Sequence, residues 1–239
     1  AATGTFAGVI SGNGGVQLST SSIETFTGAN TYIGTTTIDS GTSLTLSGSG
    51  SISNSRVNVA GTFDVSAISP SSSITSLAGS GVVNIGGRTL ILTAAADTFS
   101  GKLTGSGGNV SLTVALGTAT ETITGSSNDY SGTTTVGANT TLVLSGGGSI
   151  ATSGVQVDTG GTFSIAGTTS GASIVTLAGS GSVLLGSKTL TVTAASTEFS
   201  GVLSDTSSGG LNLSGGTQKL SGVNTFTGTT TVSGGTLQL

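Results

Sequence analysis

The fold of this chain is decided by residues 61–103, GTFDVSAISPSSSITSLAGSGVVNIGGRTLILTAAADTFSGKL, in which glycine returns every 20 positions. Gly61, Gly81 and Gly101 each precede a short segment with apolar residues at alternate positions, such as Phe63-Asp64-Val65. Alternation with a period of two is typical of a strand with one buried face, and glycine permits the backbone conformations that corners need. A recurring unit of about 20 residues, made of short strands and Gly-rich corners, predicts the coil of a parallel β-helix.

The glycine series extends in both directions. Gly41 precedes it, and Gly161, Gly181 and Gly201 continue it, which suggests one register throughout. About twelve coils would fit in the chain, and at about 4.8 Å per stacked strand they would form a rod about 55 to 60 Å long. Further alternating segments interleave with the series, so that each coil holds more than one strand: Val16-Gln17-Leu18, Val57-Asn58-Val59, Leu90-Ile91-Leu92, Val110-Ser111-Leu112 and Val155-Gln156-Val157.

A longer repeat, with a period of 100 positions, contains these coils. The segment LAGSG at 77–81 returns at 177–181, and Phe99-Ser100-Gly101 returns as Phe199-Ser200-Gly201. The expected fold is therefore all-β, a right-handed parallel β-helix (β-solenoid) of about 20 residues per coil. The sequence predicts a single continuous segment over residues 1–239, with internal modules at about 6–98, 99–198 and, in part, 199–239.

Composition supports this fold and excludes several others. Only 6% of the residues are charged, whereas 43 are glycine, and the mean hydropathy of +0.36 is too high for a disordered chain. Glycine lacks the three-residue period of collagen, and Gly, Ser, Thr and Val are weak helix formers. The net charge of −4 offers no basic surface for nucleic acid. Because every apolar run is soon broken by Gly, Ser or Thr, we expect no direct membrane insertion of this segment.

A string of immunoglobulin-like sandwiches is the structural alternative, since such a domain is also about 100 residues long. A sandwich, however, gives no reason for one Gly-x-apolar-x-apolar phrase to return at a fixed interval within a single domain. The module boundaries also show no proline-rich or polar linker. The solenoid is therefore the preferred interpretation.

One motif occurs three times with the pattern Asn-x-aromatic-x-Gly-Thr-Thr-Thr-aliphatic. The copies span residues 30–38 (NTYIGTTTI), 128–136 (NDYSGTTTV) and 224–232 (NTFTGTTTV). This motif resembles the passenger-associated repeat of bacterial autotransporters. The resemblance implies a right-handed β-helix that is extracellular or on the bacterial cell surface, either attached to the outer membrane through a region outside this chain or secreted. It also implies a role as an adhesin or as a stalk that holds another domain away from the cell.

No catalytic, cofactor-binding or metal-binding residues are predicted, and no cofactor is expected. Polysaccharide-cleaving β-helices need clustered acids with a basic residue on one face, but here the acids are scattered singly, without an evident partner in the neighbouring coil. We expect them to be solvated surface charges. Without histidine there is little to activate a Ser or Thr nucleophile. The acids are Glu24, Asp39, Asp64, Asp97, Glu121, Asp129, Asp158, Glu198 and Asp205.

The repeated motif itself allows two further interpretations. Threonine triplets at 35–37, 133–135 and 229–231 would suit an ice-binding ladder, but they are too far apart to be continuous. A corner motif whose hydroxyls bond turn amides is the alternative. Tyr32, Tyr130 and Phe226 could be sugar-contacting rings or could cap the apolar interior. Gly-rich pieces such as 146–148 lack the aspartate that calcium-binding nonapeptide repeats require.

The function expected from the sequence is that of a structural or adhesive extracellular rod, which is a stalk, spacer or display scaffold and not an enzyme. Neighbouring repeats or further copies of the chain are the expected partners, with association into fibres through exposed sheet edges. The alternative is an adhesin module that binds cell-surface glycans or proteins directly. A polysaccharide-degrading enzyme and an ice-binding protein rank behind both.

Overall fold

The computed structural model describes residues 3–113 and 117–239, and every regular element in this part of the chain is a β-strand. The first fifteen strands are β1 (Thr3–Phe6), β2 (Val16–Leu18), β3 (Ile23–Phe26), β4 (Thr36–Ile38), β5 (Ser43–Gly48), β6 (Val57–Val59), β7 (Thr62–Ile68), β8 (Ser71–Ile74), β9 (Leu77–Gly79), β10 (Val82–Asn84), β11 (Thr89–Leu92), β12 (Thr98–Phe99), β13 (Lys102–Thr104), β14 (Asn109–Leu112) and β15 (Ala119–Ile123). The others are β16 (Thr133–Val136), β17 (Thr140–Gly146), β18 (Gly154–Val157), β19 (Thr162–Thr168), β20 (Ala172–Ile174), β21 (Leu177–Gly179), β22 (Ser182–Leu184), β23 (Thr189–Val192), β24 (Glu198–Phe199), β25 (Val202–Ser204), β26 (Gly210–Leu213), β27 (Thr217–Leu220), β28 (Thr230–Val232) and β29 (Thr236–Gln238).

The strands stack in parallel, each on the strand one coil earlier in the chain. Paired residues are most often 20 positions apart, as in Val82 with Lys102, within a range from 18 for Ser71 with Thr89 to 24 for Thr98 with Thr122. About 12 coils form in this way. The predicted parallel β-solenoid is therefore confirmed, and the antiparallel sandwich is excluded.

Each coil has three sides, which we number in chain order within a coil. The first side begins as the sheet β1-β3-β5-β7-β10-β13 and ends as β20-β23-β26-β28. In the two coils between these sheets, loop residues form the first side. There the amide of Asp129 donates to the carbonyl of Leu103, and the amide of Thr169 donates to the carbonyl of Gly146. The second side is the sheet from β8 to β29, and the third runs from β2 to β25.

The core is a set of apolar columns that run along the inside of each side. On the first side, Leu44, Phe63, Val83 and Leu103 lie in register in successive coils, and none is more than 1% exposed. Burial of such a side chain contributes about 1.5 to 3 kcal/mol to stability. Because strand side chains alternate, the residues between them face outward, as predicted for Asp64.

The same column recurs on a different side in the second module. Leu142, Phe163, Val183 and Leu203 repeat the residue types of the first column, but they lie on the third side. Between Phe63 and Phe163 the chain completes four coils and two further sides. The second copy of the module is therefore turned by one side relative to the first.

The expectation of one glycine register throughout the chain was wrong for this reason. Gly161, Gly181 and Gly201 precede strands of the third side, whereas Gly41 to Gly101 precede strands of the first. The cause is coil length. The pairings of Thr98 with Thr122 and of Val110 with Thr134, near the module boundary, join positions numbered 24 apart, and that of Thr141 with Thr162 joins positions 21 apart. These longer coils together add about one side.

Candidate functional site

The asparagine of the repeated motif bonds backbone groups of neighbouring coils. Oδ1 of Asn128 accepts from the amide of Leu103 at 2.6 Å, and Nδ2 donates to the carbonyls of Gly125 and Ser149, both at 2.9 Å. In the first copy, Asn30 makes the same set of bonds with Ile10, Gly28 and Ser51. Both asparagines are buried, and their Oδ1 atoms supply the acceptor for the amides of Leu103 and Ile10. Their Nδ2 atoms add a second donor to carbonyls such as that of Gly125, which also accepts from the amide of Ser149. The asparagine therefore locks one corner across three coils.

The aromatic residue and the threonine of the motif form a buried chain of hydroxyls. The Tyr130 hydroxyl lies 2.7 Å from Oγ1 of Thr134, which lies 2.8 Å from Oγ of Ser153 in the next coil. Ser153 donates to the carbonyl of Gly132 at 2.7 Å, which closes the chain. Burial raises the pKa of Tyr130 to about 12, so this phenol is neutral near pH 7. Tyr32, Thr36 and Ser55 repeat the arrangement.

These positions decide between the two interpretations of the aromatic residues. Tyr32 and Tyr130 are 1% and 0% exposed, so neither ring can reach a sugar outside the protein. The interpretation as residues that cap the interior is confirmed for both. In the third copy Phe226, which carries no hydroxyl, is partly buried against the core.

The glycine of the motif is required by the close approach of the preceding coil. A Cβ atom at Gly34 would lie 2.5 Å from backbone atoms of Gly14 and Gly15, and one at Gly132 would lie 2.5 Å from the carbonyl oxygen of Gly108. At Gly228 it would likewise meet the backbone of the preceding coil. Backbone atoms cannot move aside as a flexible side chain can, so only glycine fits.

The three copies of the motif occupy three different corners. Their threonine segments form β4 on the third side, β16 on the second side and β28 on the first side. A continuous threonine ladder is therefore impossible, which argues against ice binding more directly than the spacing in the sequence does. The motif is a structural corner, and its parts do not converge on a ligand site.

Several acidic residues have a charged partner, contrary to the expectation that they are solitary. Lys102 lies 2.6 Å from Asp129, and Lys219 lies 3.1 Å from Glu198, in each case between adjacent coils. Both pairs are largely exposed, so each contributes little to stability. The sequence did not reveal them because the coil lengths that bring the partners together vary.

In the third ion pair, of Arg56 with Asp97, the carboxylate is more buried than in the other two pairs. Two guanidinium nitrogens of Arg56 contact the two carboxylate oxygens of Asp97, at 2.7 and 2.6 Å, although the two residues are 41 positions apart. The Asp97 side chain is only 14% exposed. The hydrogen bonds from Arg56 lower the pKa of Asp97 below its usual value, although partial burial opposes this shift.

Glu121 lies inside the solenoid, which the sequence interpretation missed. It is only 2% exposed, and burial together with the nearby charge of Asp97 raises the pKa of its carboxyl to about 9, although the Ser76 hydroxyl and nearby backbone groups oppose the shift. Strand alternation was the available indication, because Ala119 and Ile123, two positions away on either side, both face inward. An acid in such a place is either functional or a polar element of the fold.

The described residues hold no cluster of side chains typical of a metal centre. No group of three or more Asp, Glu, His or Cys residues comes together in 3–113 and 117–239. In the same ranges, no helix has the length and apolar character needed to cross a bilayer.

One surface depression is open and polar, with a volume of about 290 Å³. It lies on the first side, where loop 146–151 stands beside β20 and β23. Its walls are glycine backbone and hydroxyl side chains, including Ser149, Ser173 and Thr191. Such groups can exchange hydrogen bonds with a polar ligand but hold no charge or aromatic ring for tight binding.

Stacked parallel coils, a continuous apolar interior and corners built from a recurring motif define a β-solenoid repeat protein. The family model of the passenger-associated-transport-repeat matches residues 23–42, 114–138 and 213–239, and each match contains one copy of the motif. The chain therefore carries three repeats of the autotransporter passenger type, as the resemblance of its motif implied. The family indicates a location at the cell surface or outside the cell. Neither the curated proteins nor the solved structures give a match to this chain.

Proposed function

We propose that this region acts as a stiff extracellular stalk or spacer that displays another part of its protein, and that it carries out no catalysis. The observation that supports this role most directly is the use of the family motif. Its asparagine, aromatic and threonine residues all serve to join coils, as Asn128, Tyr130 and Thr134 do. Because the characteristic residues of the repeat join neighbouring coils, the repeat is suited to forming a long rod.

Stiffness follows from how the coils are joined. Backbone hydrogen bonds along three sides and apolar columns inside connect each coil to its neighbours, so bending the rod would break many bonds together. About 12 coils at about 4.8 Å per coil give a length of about 55 Å. Similar coils in the rest of a longer passenger would extend the same rod.

Deleting one whole coil tests the proposal. Val82 pairs with Thr62, so removing residues 62–81 joins equivalent positions and preserves the inward columns. We expect a folded rod that is shorter by about 5 Å, measured by small-angle X-ray scattering. Removing only residues 62–71 should prevent the coils from stacking, which makes it the matched control. Unaltered length in the folded whole-coil variant would contradict the rod.

A direct adhesive role is the second candidate, and the open depression beside β20 favours it. Ser173 faces outward there, so Ser173→Lys would fill the depression without disturbing the core. On a glycan array and on host cells, we expect no saturable binding by the unmodified chain. Saturable binding that Ser173→Lys abolishes would instead support the adhesin. Turnover of a polysaccharide would contradict both.

A further inference from the structure

One inward-facing polar residue recurs at a constant interval of 97 positions, as Glu24, Glu121 and Gln218. In the pairing register, each is followed one coil later by a leucine. Glu24 pairs with Leu44, Glu121 with Leu142 and Gln218 with Leu237. The repeat therefore places a polar group inside the solenoid once per module, on a different side each time.

Gln218 shows which hydrogen bonds a side chain at this position can make. Its Nε2 donates to the carbonyl oxygens of Leu177, Thr197 and Lys219, each at 3.1 Å, whereas its Oε1 is buried without a partner. Leu177 and Thr197 belong to the two preceding coils. The position thus offers acceptors to a neutral donor, which connects three coils from within.

Glu121 occupies the equivalent place with far fewer bonds. Its Oε2 accepts one long hydrogen bond from Ser76 at 3.4 Å, and its Oε1 is buried without a partner. An ionised carboxylate cannot donate a hydrogen bond, whereas a protonated one can. The acceptors that hold the amide of Gln218 therefore suit the neutral form of Glu121, although the Ser76 hydroxyl and backbone groups of Leu77 and Asp97 favour its ionised form.

The surroundings of Glu121 also disfavour its charge. Asp97, in the preceding coil, is the nearest acid, and the charge of Arg56 is already engaged by Asp97. The other walls are apolar and include Leu77, Leu90 and Leu142. No other titratable or charged group of the described residues faces the Glu121 carboxyl.

We propose that Glu121 makes the stacking of β15 on residues 95–99 a proton-dependent joint, closed while its carboxyl is neutral and loosened when the carboxyl ionises. The corresponding joint of the next module, which carries Gln218, is closed at any pH. The joints at Glu121 and Gln218 would then differ in their response to pH. This device is independent of whether the rod serves as a spacer or as an adhesin.

The direction of the pH effect follows from the two protonation states. The carboxyl has a pKa of about 9 in the folded chain and an ordinary value of 4.5. Between these values the closed form keeps a proton that the opened form releases, so the closed state loses stability as the pH rises. The equilibrium constant for opening should increase about tenfold per pH unit in this window. Below the lower value both forms hold the proton, so the opening equilibrium no longer depends on pH.

Hydrogen exchange of single amides tests the joint in the full chain between pH 5 and pH 8, after correction for the intrinsic exchange rate. The amides of Thr120 and Thr122, bonded to Ala95 and Asp97, report on the Glu121 joint. Those of Thr217 and Lys219 report on the Gln218 joint. We expect protection to fall with pH at the first pair alone.

Exchanging the two side chains supplies matched variants. Glu121→Gln should abolish the fall in protection at Thr120 and Thr122, and Gln218→Glu should create one at Thr217 and Lys219. The amide of Ser182, which bonds Gly161 far from either joint, should not respond in any variant. If protection at Thr122 is flat with pH in the unmodified chain, or still falls in Glu121→Gln, the proposal is overturned. A folded Gln218→Glu variant without pH dependence would also overturn it.

Discussion

Thr98 and Thr122 are paired neighbours on the third side of the solenoid, although they are 24 positions apart in the chain. This long coil contributes to turning the second module by one side. A strict register of 20 positions would instead place Lys102 beside Thr122. The difference determines the direction in which every later residue of the chain faces.

Disulfide cross-linking distinguishes the two registers. Paired residues of adjacent strands lie about 4.8 Å apart, within the range that a disulfide spans. The chain contains no cysteine of its own, so Thr98→Cys with Thr122→Cys should oxidise cleanly to one intramolecular bond. Lys102→Cys with Thr122→Cys should stay reduced under the same conditions. Thiol titration and mass spectrometry measure both, and the reverse result would refute the long coil.

Asn128→Ala should be among the most destabilising single substitutions at a corner of the solenoid. It removes the acceptor of the Leu103 amide and the side-chain donor to the carbonyls of Gly125 and Ser149, of which Gly125 keeps its bond from the amide of Ser149, and we expect a loss of about 2 to 3 kcal/mol. Asn58→Ala, which removes an outward-facing asparagine of β6, is the control and should change little. Urea denaturation measures the difference. Equal stability of the two variants would show that the corner does not depend on Asn128.

Tyr130→Phe removes one hydroxyl from the buried chain and keeps the ring. We expect a loss of about 1 kcal/mol, because only the bond to Thr134 is broken. Tyr130→Ala also empties part of the core and should cost about 3 to 5 kcal/mol. Thermal and chemical denaturation give both values. A normal stability for the alanine variant would be incompatible with the complete burial of this ring.

Gly132→Ala tests the close approach of coils at the motif. The added methyl group meets the backbone of Gly108, and overpacking of this kind costs about 1 to 3 kcal/mol. At Gly87 the nearest atom to an added Cβ is 3.6 Å away, so Gly87→Ala should be tolerated. Comparison of the two unfolding midpoints provides the measurement, and a Gly132→Ala protein as stable as Gly87→Ala would contradict the close packing of this corner.

Arg56→Met should weaken the chain in a pH-dependent manner. The pKa of Asp97 is lowered in the folded state, so its pairing with Arg56 stabilises the fold above the ordinary aspartate value of 3.8 and is lost as the pH falls through the folded value. Since Arg56 is partly exposed, we expect a cost of only about 1 kcal/mol near pH 7. The unmodified and variant proteins should converge in stability near pH 2. A difference that persists there would point to packing as the cause.

Much of this architecture could be predicted from local patterns. The alternation in Val57-Asn58-Val59 and in Phe63-Asp64-Val65 gives the inward faces correctly, and both segments form strands. The motif around Tyr32 and Tyr130 indicates the passenger-associated repeat that the family model matches at the same segments. These features depend on a few consecutive residues, so the sequence displays them directly.

Other features depend on where distant residues meet. Asp97 forms an ion pair with Arg56, which is 41 positions away, and Glu121 accepts a hydrogen bond from Ser76, which lies two coils away. The spacing of paired positions varies from 18 to 24 along the chain, which shifts such partners by several places. The acidic residues are therefore visible in the sequence, but their partners could not be predicted from it.

The sequence by itself determined that the chain coils, that most apolar residues at alternate positions point inward and that it carries a passenger-associated repeat, because these follow from alternation and from a contiguous motif. Only the tertiary structure decided that Phe63 and Phe163 lie on different sides and that Glu121 is enclosed without a full set of partners. The physical reason is that each coil stacks on the one before it, so extra residues in one coil shift the position of every later residue around the axis. A few extra residues near one module boundary therefore turn all that follows, whereas they leave each local pattern unchanged.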